Sequence, residues 1–123
     1  MPGRPIRVLT LLLAVSLAIL VAVAQAARKP SATEREQIAA VVKLPVQCAK
    51  VKVSTASKKP LWGSASFKPG PSECESHASD GDTIVKKSRG RWRFVTAGSS
   101  FDCPSLYKKV PQAIAKDLHI ACF

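Results

Sequence analysis

The stretch Thr83-Ile84-Val85-Lys86-Lys87-Ser88-Arg89-Gly90-Arg91-Trp92-Arg93-Phe94-Val95-Thr96-Ala97 decides the fold class. Two strand-forming runs, Thr83 to Lys87 and Arg91 to Ala97, flank Arg89-Gly90, and Gly90 can supply the positive φ of a tight turn. The stretch therefore predicts a β-hairpin. Trp92, Phe94 and Thr96 alternate with Arg91, Arg93 and Val95, so the aromatic rings are expected to face a core.

Upstream of the hairpin the pattern is strand-like again. Val51 and Val53 alternate with Lys50, Lys52 and Ser54 within a predicted strand from Val46 to Thr55. Ser57-Lys58-Lys59-Pro60 reads as a turn, and Leu61 to Phe67 as a second strand with Trp62 on the face opposite Leu61, Gly63, Ala65 and Phe67. The prolines, glycines and small polar residues from Lys68 to Asp82 predict a long loop. Farther back, Ser31 or Thr33 can cap a helix with Glu34 or Glu36 three residues on, and Ile38, Val41 and Val42 share a face before Pro45 stops it. That helix is expected from about Thr33 to Lys43, after a basic, mobile lead-in from Ala27 to Ala32. Downstream, Pro104 starts one helical turn through Tyr107, and Pro111 opens a second short helix to Leu118.

The sum is an α+β domain: an N-terminal helix, an antiparallel meander of three to four strands and a short C-terminal helix. One sheet face is expected under the helices and the other in water. Trp92, Phe94, Ile38, Val41, Ile114 and Leu118 are expected to share one core.

The first 26 residues carry a different message. Arg4 and Arg7 precede an apolar run from Val8 to Ala24, and Ala24-Gln25-Ala26 places small residues where a signal peptidase reads them. Residues 1–26 are therefore expected to be a secretory signal peptide, cut between Ala26 and Ala27, and residues 27–123 a single exported domain without a transmembrane segment, expected to be a monomer. Four cysteines follow, Cys48, Cys74, Cys103 and Cys122. An even count in an exported chain reads as two disulfides, with three pairings open. The pair Cys103–Cys122 brackets the proline-led helix and closes a local loop at low entropic cost, which leaves Cys48–Cys74 to tie the long loop to the first strand.

The tail elements Gly90-Arg91-Trp92, Phe94-Val95, Gly98-Ser99-Ser100, Cys103-Pro104, Val110-Pro111, Ile114, Asp117-Leu118 and Cys122 together resemble the C-terminal part of small exported proteins from actinobacteria. The resemblance covers about the last 35 residues and the signal peptide, and leaves out Cys48 and Cys74. It implies a secreted α+β domain and assigns no catalytic residue.

Charge gives the leading functional expectation. Without Arg4 and Arg7, the remaining 17 Lys and Arg oppose 8 Asp and Glu, a net charge of +9. Such a field favours anionic partners. Lys86, Lys87, Arg89, Arg91 and Arg93 put five cations into eight residues around Trp92, which could add stacking or cation–π contact. The competing explanation is a solvated strand face that discourages edge aggregation. The expected partner is an anionic polymer or cell-envelope surface, or another secreted protein.

Other chemistries are weaker. Cys74-x-x-His77 and His119-x-x-Cys122 could form a zinc set, but an oxidising compartment favours disulfides. No Gly-x-Ser-x-Gly elbow is present; Ser99 and Ser100 lie near Asp102 with no histidine fixed beside them. The acids Glu73, Glu75, Asp80 and Asp82 fall in the polar loop, where solvated carboxylates lack catalytic poise. The chain is therefore expected to be non-enzymatic, with no cofactor and no metal. The alternative is a small secreted hydrolase with an unrecognised site. A cationic antimicrobial role would need an amphipathic basic helix, and neither main predicted helix is strongly basic on one face.

Overall fold

A computed structural model describes residues 27–123; the predicted signal peptide lies outside the described residues. Ser31 caps the first helix, α1 (Ala32–Val42), through a reciprocal capping box. Its hydroxyl accepts from the Glu34 N–H at 3.2 Å, while its own N–H donates to Glu34 Oε1 at 2.9 Å. Lys43 closes the helix in the left-handed region, φ 59°. Pro45 then leads a 3-10 turn over Val46–Cys48, where the sequence reading expected strand. Four strands follow: β1 (Ala49–Val53), β2 (Trp62–Phe67), β3 (Asp82–Ser88) and β4 (Arg91–Gly98). They form one antiparallel sheet in the order β1-β2-β3-β4. The long loop from 68 to 81 carries a second 3-10 turn, Ser72–His77, which brings Cys74 inward to its bond with Cys48.

The C-terminal part is more helical than expected. Asp102 Oδ2 accepts from the Ser105 N–H at 3.0 Å and from its hydroxyl at 2.8 Å, capping α2 (Cys103–Lys109). Pro111 begins α3 (Gln112–Asp117). Cys103–Cys122 closes this unit, and the Tyr107 hydroxyl donates to Cys122 Sγ at 3.3 Å. Both disulfides are the expected pairs, and no described cysteine is free.

The core corrects the sequence reading. Ile84 and Val85 are neighbours in β3, so their side chains leave opposite faces of the sheet, yet both are fully buried. Val85 joins Ile38, Ala39, Ala49, Val51, Val53, Ala65 and Trp92 beneath α1. Ile84 joins Trp62, Leu106, Val110, Ile114, Ala115, Leu118 and Ile120 beneath α2 and α3. The sheet is thus covered on both faces over its centre, rather than on one face only. The residues expected to share one core divide: Ile38, Trp92 and the half-buried Val41 on the α1 side, Ile114 and Leu118 on the other. Gly63 permits the close approach of α1, because a Cβ there would meet the Lys52 carbonyl at 2.9 Å and Ile38 Cδ1 at 3.4 Å.

Phe94 is the second correction, being 59% exposed. Ile84 stands opposite Thr96 but Val85 opposite Phe94, so Val95 is an extra residue in a β-bulge. The bulge breaks the alternation. Val95 packs towards the C-terminal cluster, while Phe94, opposite Val85, keeps the α1-side face of the edge strand β4 but is not among the residues packed beneath α1.

The lead-in expected to be mobile is held. Arg28 and Val53 exchange backbone hydrogen bonds of 2.8 and 3.1 Å, and the Arg28 guanidinium grips both carboxylate oxygens of Glu34 at 2.8 and 2.9 Å. At the other end, Asp117 Oδ2 accepts from the buried Ser54 hydroxyl at 2.6 Å and from the Thr55 N–H at 2.8 Å, fastening α3 to the β1–β2 connection.

Candidate anion-binding cleft

The hairpin tip is built from a two-residue turn between Ser88 and Arg91, which stand opposite each other. Arg89 and Gly90 both have positive φ, 54° and 77°. Two successive positive values are the signature of the turn whose twist matches paired strands, and that turn prefers Asn or Gly at its first position. An arginine there holds a backbone conformation that costs an L-residue with a long side chain.

The register sorts the five hairpin cations. Lys86 stands opposite Arg93 and Ser88 opposite Arg91, whereas Lys87 stands opposite Trp92. Lys86, Arg91 and Arg93 therefore leave the face away from α1, and Lys87 leaves the α1 face. Arg89 projects from the tip. Lys86 Nζ sits 5.3 Å above the centroid of the Trp62 ring, within cation–π range. The aromatic partner is thus Trp62. Trp92 is only 6% exposed among α1 and β-sheet residues, so its ring is unavailable for stacking on a ligand.

A cleft of about 580 Å³ opens at this end of the molecule. It is shallow and open, lined by Lys86, Lys87 and Arg89 from the hairpin and by Lys58 and Lys59 from the β1–β2 connection, beside Pro60, which follows a cis peptide bond. Lys58 and Lys59 were legible only as turn residues. The Lys87 N–H donates to the Leu61 carbonyl at 2.8 Å, so β2–β3 pairing brings that turn against the hairpin. Arg91 and Arg93 border a separate hollow of about 410 Å³ beside Gln37 and Trp92.

No carboxylate lines the basic cleft. Among the described residues the one ion pair is Arg28–Glu34, remote from it in the chain, so its five cations are uncompensated by direct pairing. Like charges crowded in this way repel, and a bound anion relieves that repulsion. The other acids are placed elsewhere. Burial pushes the Asp82 carboxyl above its ordinary value, partly offset by Lys52 and Lys50. Burial likewise opposes ionisation of Asp117, but hydrogen bonds from Ser54, Thr55 and Ala56 outweigh it and hold its carboxyl low.

Three of the remaining sequence candidates serve structure. Asp102 is a helix cap. Cys74 and Cys122 are spent in disulfides and offer no thiolates beside His77 and His119. Among the described residues neither histidine hydrogen-bonds to a serine or carboxylate side chain, and no group of three or more His, Cys, Asp or Glu is placed to hold a metal. No helix among the described residues is long and apolar enough to cross a membrane. The chain finds no significant match among protein-family models, curated proteins or solved structures.

Proposed function

We propose that the protein is an exported, disulfide-stabilised, non-enzymatic domain that binds an anionic polymer of its surroundings, such as an acidic cell-envelope component. The observation that carries this reading is the cleft in which Lys58 and Lys59 meet Lys86, Lys87 and Arg89 without a lining carboxylate. The signal-peptide pattern, the two disulfides, the net charge and the resemblance of the tail to small exported actinobacterial proteins support the setting. Arg89 adds to it: a strained residue kept at an exposed tip is better accounted for by what it contacts than by what it stabilises.

Retention of oxidised residues 27–123 on a sulfated-polysaccharide matrix tests the proposal. The logarithm of the binding constant should fall steeply with the logarithm of salt concentration, because binding releases counterions. Reversing Lys87, Arg89 and Arg91 to Glu should abolish retention while circular dichroism shows the fold intact, and Lys58→Glu with Lys59→Glu should weaken it strongly. Retention equal to wild type in a folded triple variant would leave the hairpin a merely solvated face.

A further inference from the structure

β1 is an edge strand, and its outer rim is only partly paired. The two bonds between Arg28 and Val53 show which way its backbone faces: odd-numbered residues turn their N–H and C=O outward. The even-numbered flanks turn toward β2, since Cys48 O accepts from the Lys68 N–H and the Ser54 N–H donates to Trp62 O. Ala27–Arg28 cannot continue along the rim. The residue that would stand opposite Val51 is Pro30, which has no N–H, and Ser31 already caps α1. The Ala49 N–H is taken by Val46 O. Among the described residues the outward N–H and C=O of Val51 have no backbone partner; the C=O of Ala49 has none either, but Ala49 is only 2% exposed, so Val51 is the residue that presents the rim. Groups presented in this way template the addition of another strand.

A hollow of about 750 Å³ lies along the same rim. Val51 and Phe67 give it an apolar floor, and Lys29, Arg35, Lys50 and Lys68 surround it with no lining acid. A second hollow of about 370 Å³ shares Lys29, Lys50 and Val51 and adds Lys52 and His119. None of these lysines, nor Arg35, is in an ion pair among the described residues.

From the unpaired rim and its basic walls, the geometry points to an extended acidic peptide segment of a partner protein that docks on β1 as an added strand. Its backbone meets the outward N–H and C=O of Val51. Its alternate side chains leave opposite faces, so acidic residues on one side meet Lys50 and Lys52 and those on the other meet Lys29 and Arg35, with Lys68 at the end of the hollow. A nucleic acid or glycan could answer the charge but not the outward amide and carbonyl of Val51. This surface shares no residue with the cleft at the hairpin tip.

The test uses ¹⁵N-labelled, oxidised residues 27–123 and a blocked seven-residue peptide of alternating glutamate and valine. Binding should shift the amide signals around Val51 and slow exchange of the Val51 amide at least tenfold. The same peptide N-methylated at alternate residues keeps its charge but cannot pair, and should bind at least tenfold more weakly. Lys50→Glu with Lys68→Glu, both at exposed positions, should weaken binding by a similar factor, whereas Lys87→Glu with Arg89→Glu should leave it unchanged. Equal binding of the N-methylated peptide, or unchanged exchange at Val51, overturns the proposal. So does a sulfated oligosaccharide that shifts the same amides with equal affinity, which would make the rim a second polyanion site.

Discussion

At the residue scale, two side chains show how local chemistry sets stability and function. Hydrogen bonds from the Arg28 guanidinium, with further help from Ser31, hold the Glu34 carboxyl down to about 2 against the cost of its burial. Its folded value lies below the ordinary carboxylate value near 4.3. The stability it adds is therefore present above that pH and is lost as pH falls towards about 2. Glu34→Ala should cost about 1 kcal/mol near neutrality through the lost cap and ion pair. Urea midpoints of the two proteins should differ at pH 7 and converge near pH 2; a difference that persists unchanged in acid would assign the effect to packing. Arg89 makes the opposite trade. Arg89→Asn suits its positive φ and should stabilise the fold by up to about 1 kcal/mol, while weakening retention on the sulfated matrix. If thermal melting and retention both stay at wild-type values, neither strain nor contact resides at that position. The capping box was legible because its partners lie three residues apart. The Arg28 grip was not, since Arg28 stood in a stretch read only as a basic lead-in.

At the element scale, the hairpin, the helix and both short C-terminal helices were readable from alternation, caps and prolines. The bulge at Val95 was not. Its only trace was that Phe94-Val95 follows a strictly alternating run, and nothing there marks where the period slips. The double-sided sheet did leave a signal in the adjacent Ile84-Val85, the kind of continuous apolar run expected of a strand buried on both faces. Trp92 carries much of the α1-side packing. Trp92→Ala should cost about 3–5 kcal/mol. Its buried Nε1 has no hydrogen-bond partner among the described residues, so Trp92→Phe removes an unmet donor along with some ring area. Chemical denaturation should therefore place the Phe variant at less than half the loss of the Ala variant. Equal losses would show that the indole N–H is satisfied in solution.

At the scale of the whole molecule, the basic cleft is a product of topology. Lys58 and Lys59 lie well before the hairpin in the chain, with the whole of β2 and the long loop between, and only β2–β3 pairing joins them to it. No spacing rule reaches across that separation, so the sequence could nominate the hairpin without its facing wall. Cys48–Cys74 secures the start of β1 and the long loop, and Cys103–Cys122 closes the α2–α3 unit. Each crosslink, spanning 26 and 19 residues, contributes about 3 kcal/mol in a chain-entropy account. Replacing Cys103 and Cys122 by Ser should raise amide exchange first in α2 and α3 while the α1 amides stay slow; uniform acceleration would mean that the layers melt together. Because only the C-terminal layer carries a crosslink of its own, the molecule resembles a bound volume with one clasped cover, while the α1 cover is held without a clasp. A reductant that opens the clasp should loosen that cover before the spine. Reduction of that bond should then give a worn but still folded protein, with β1–β4 and the basic residues at their tip still in place.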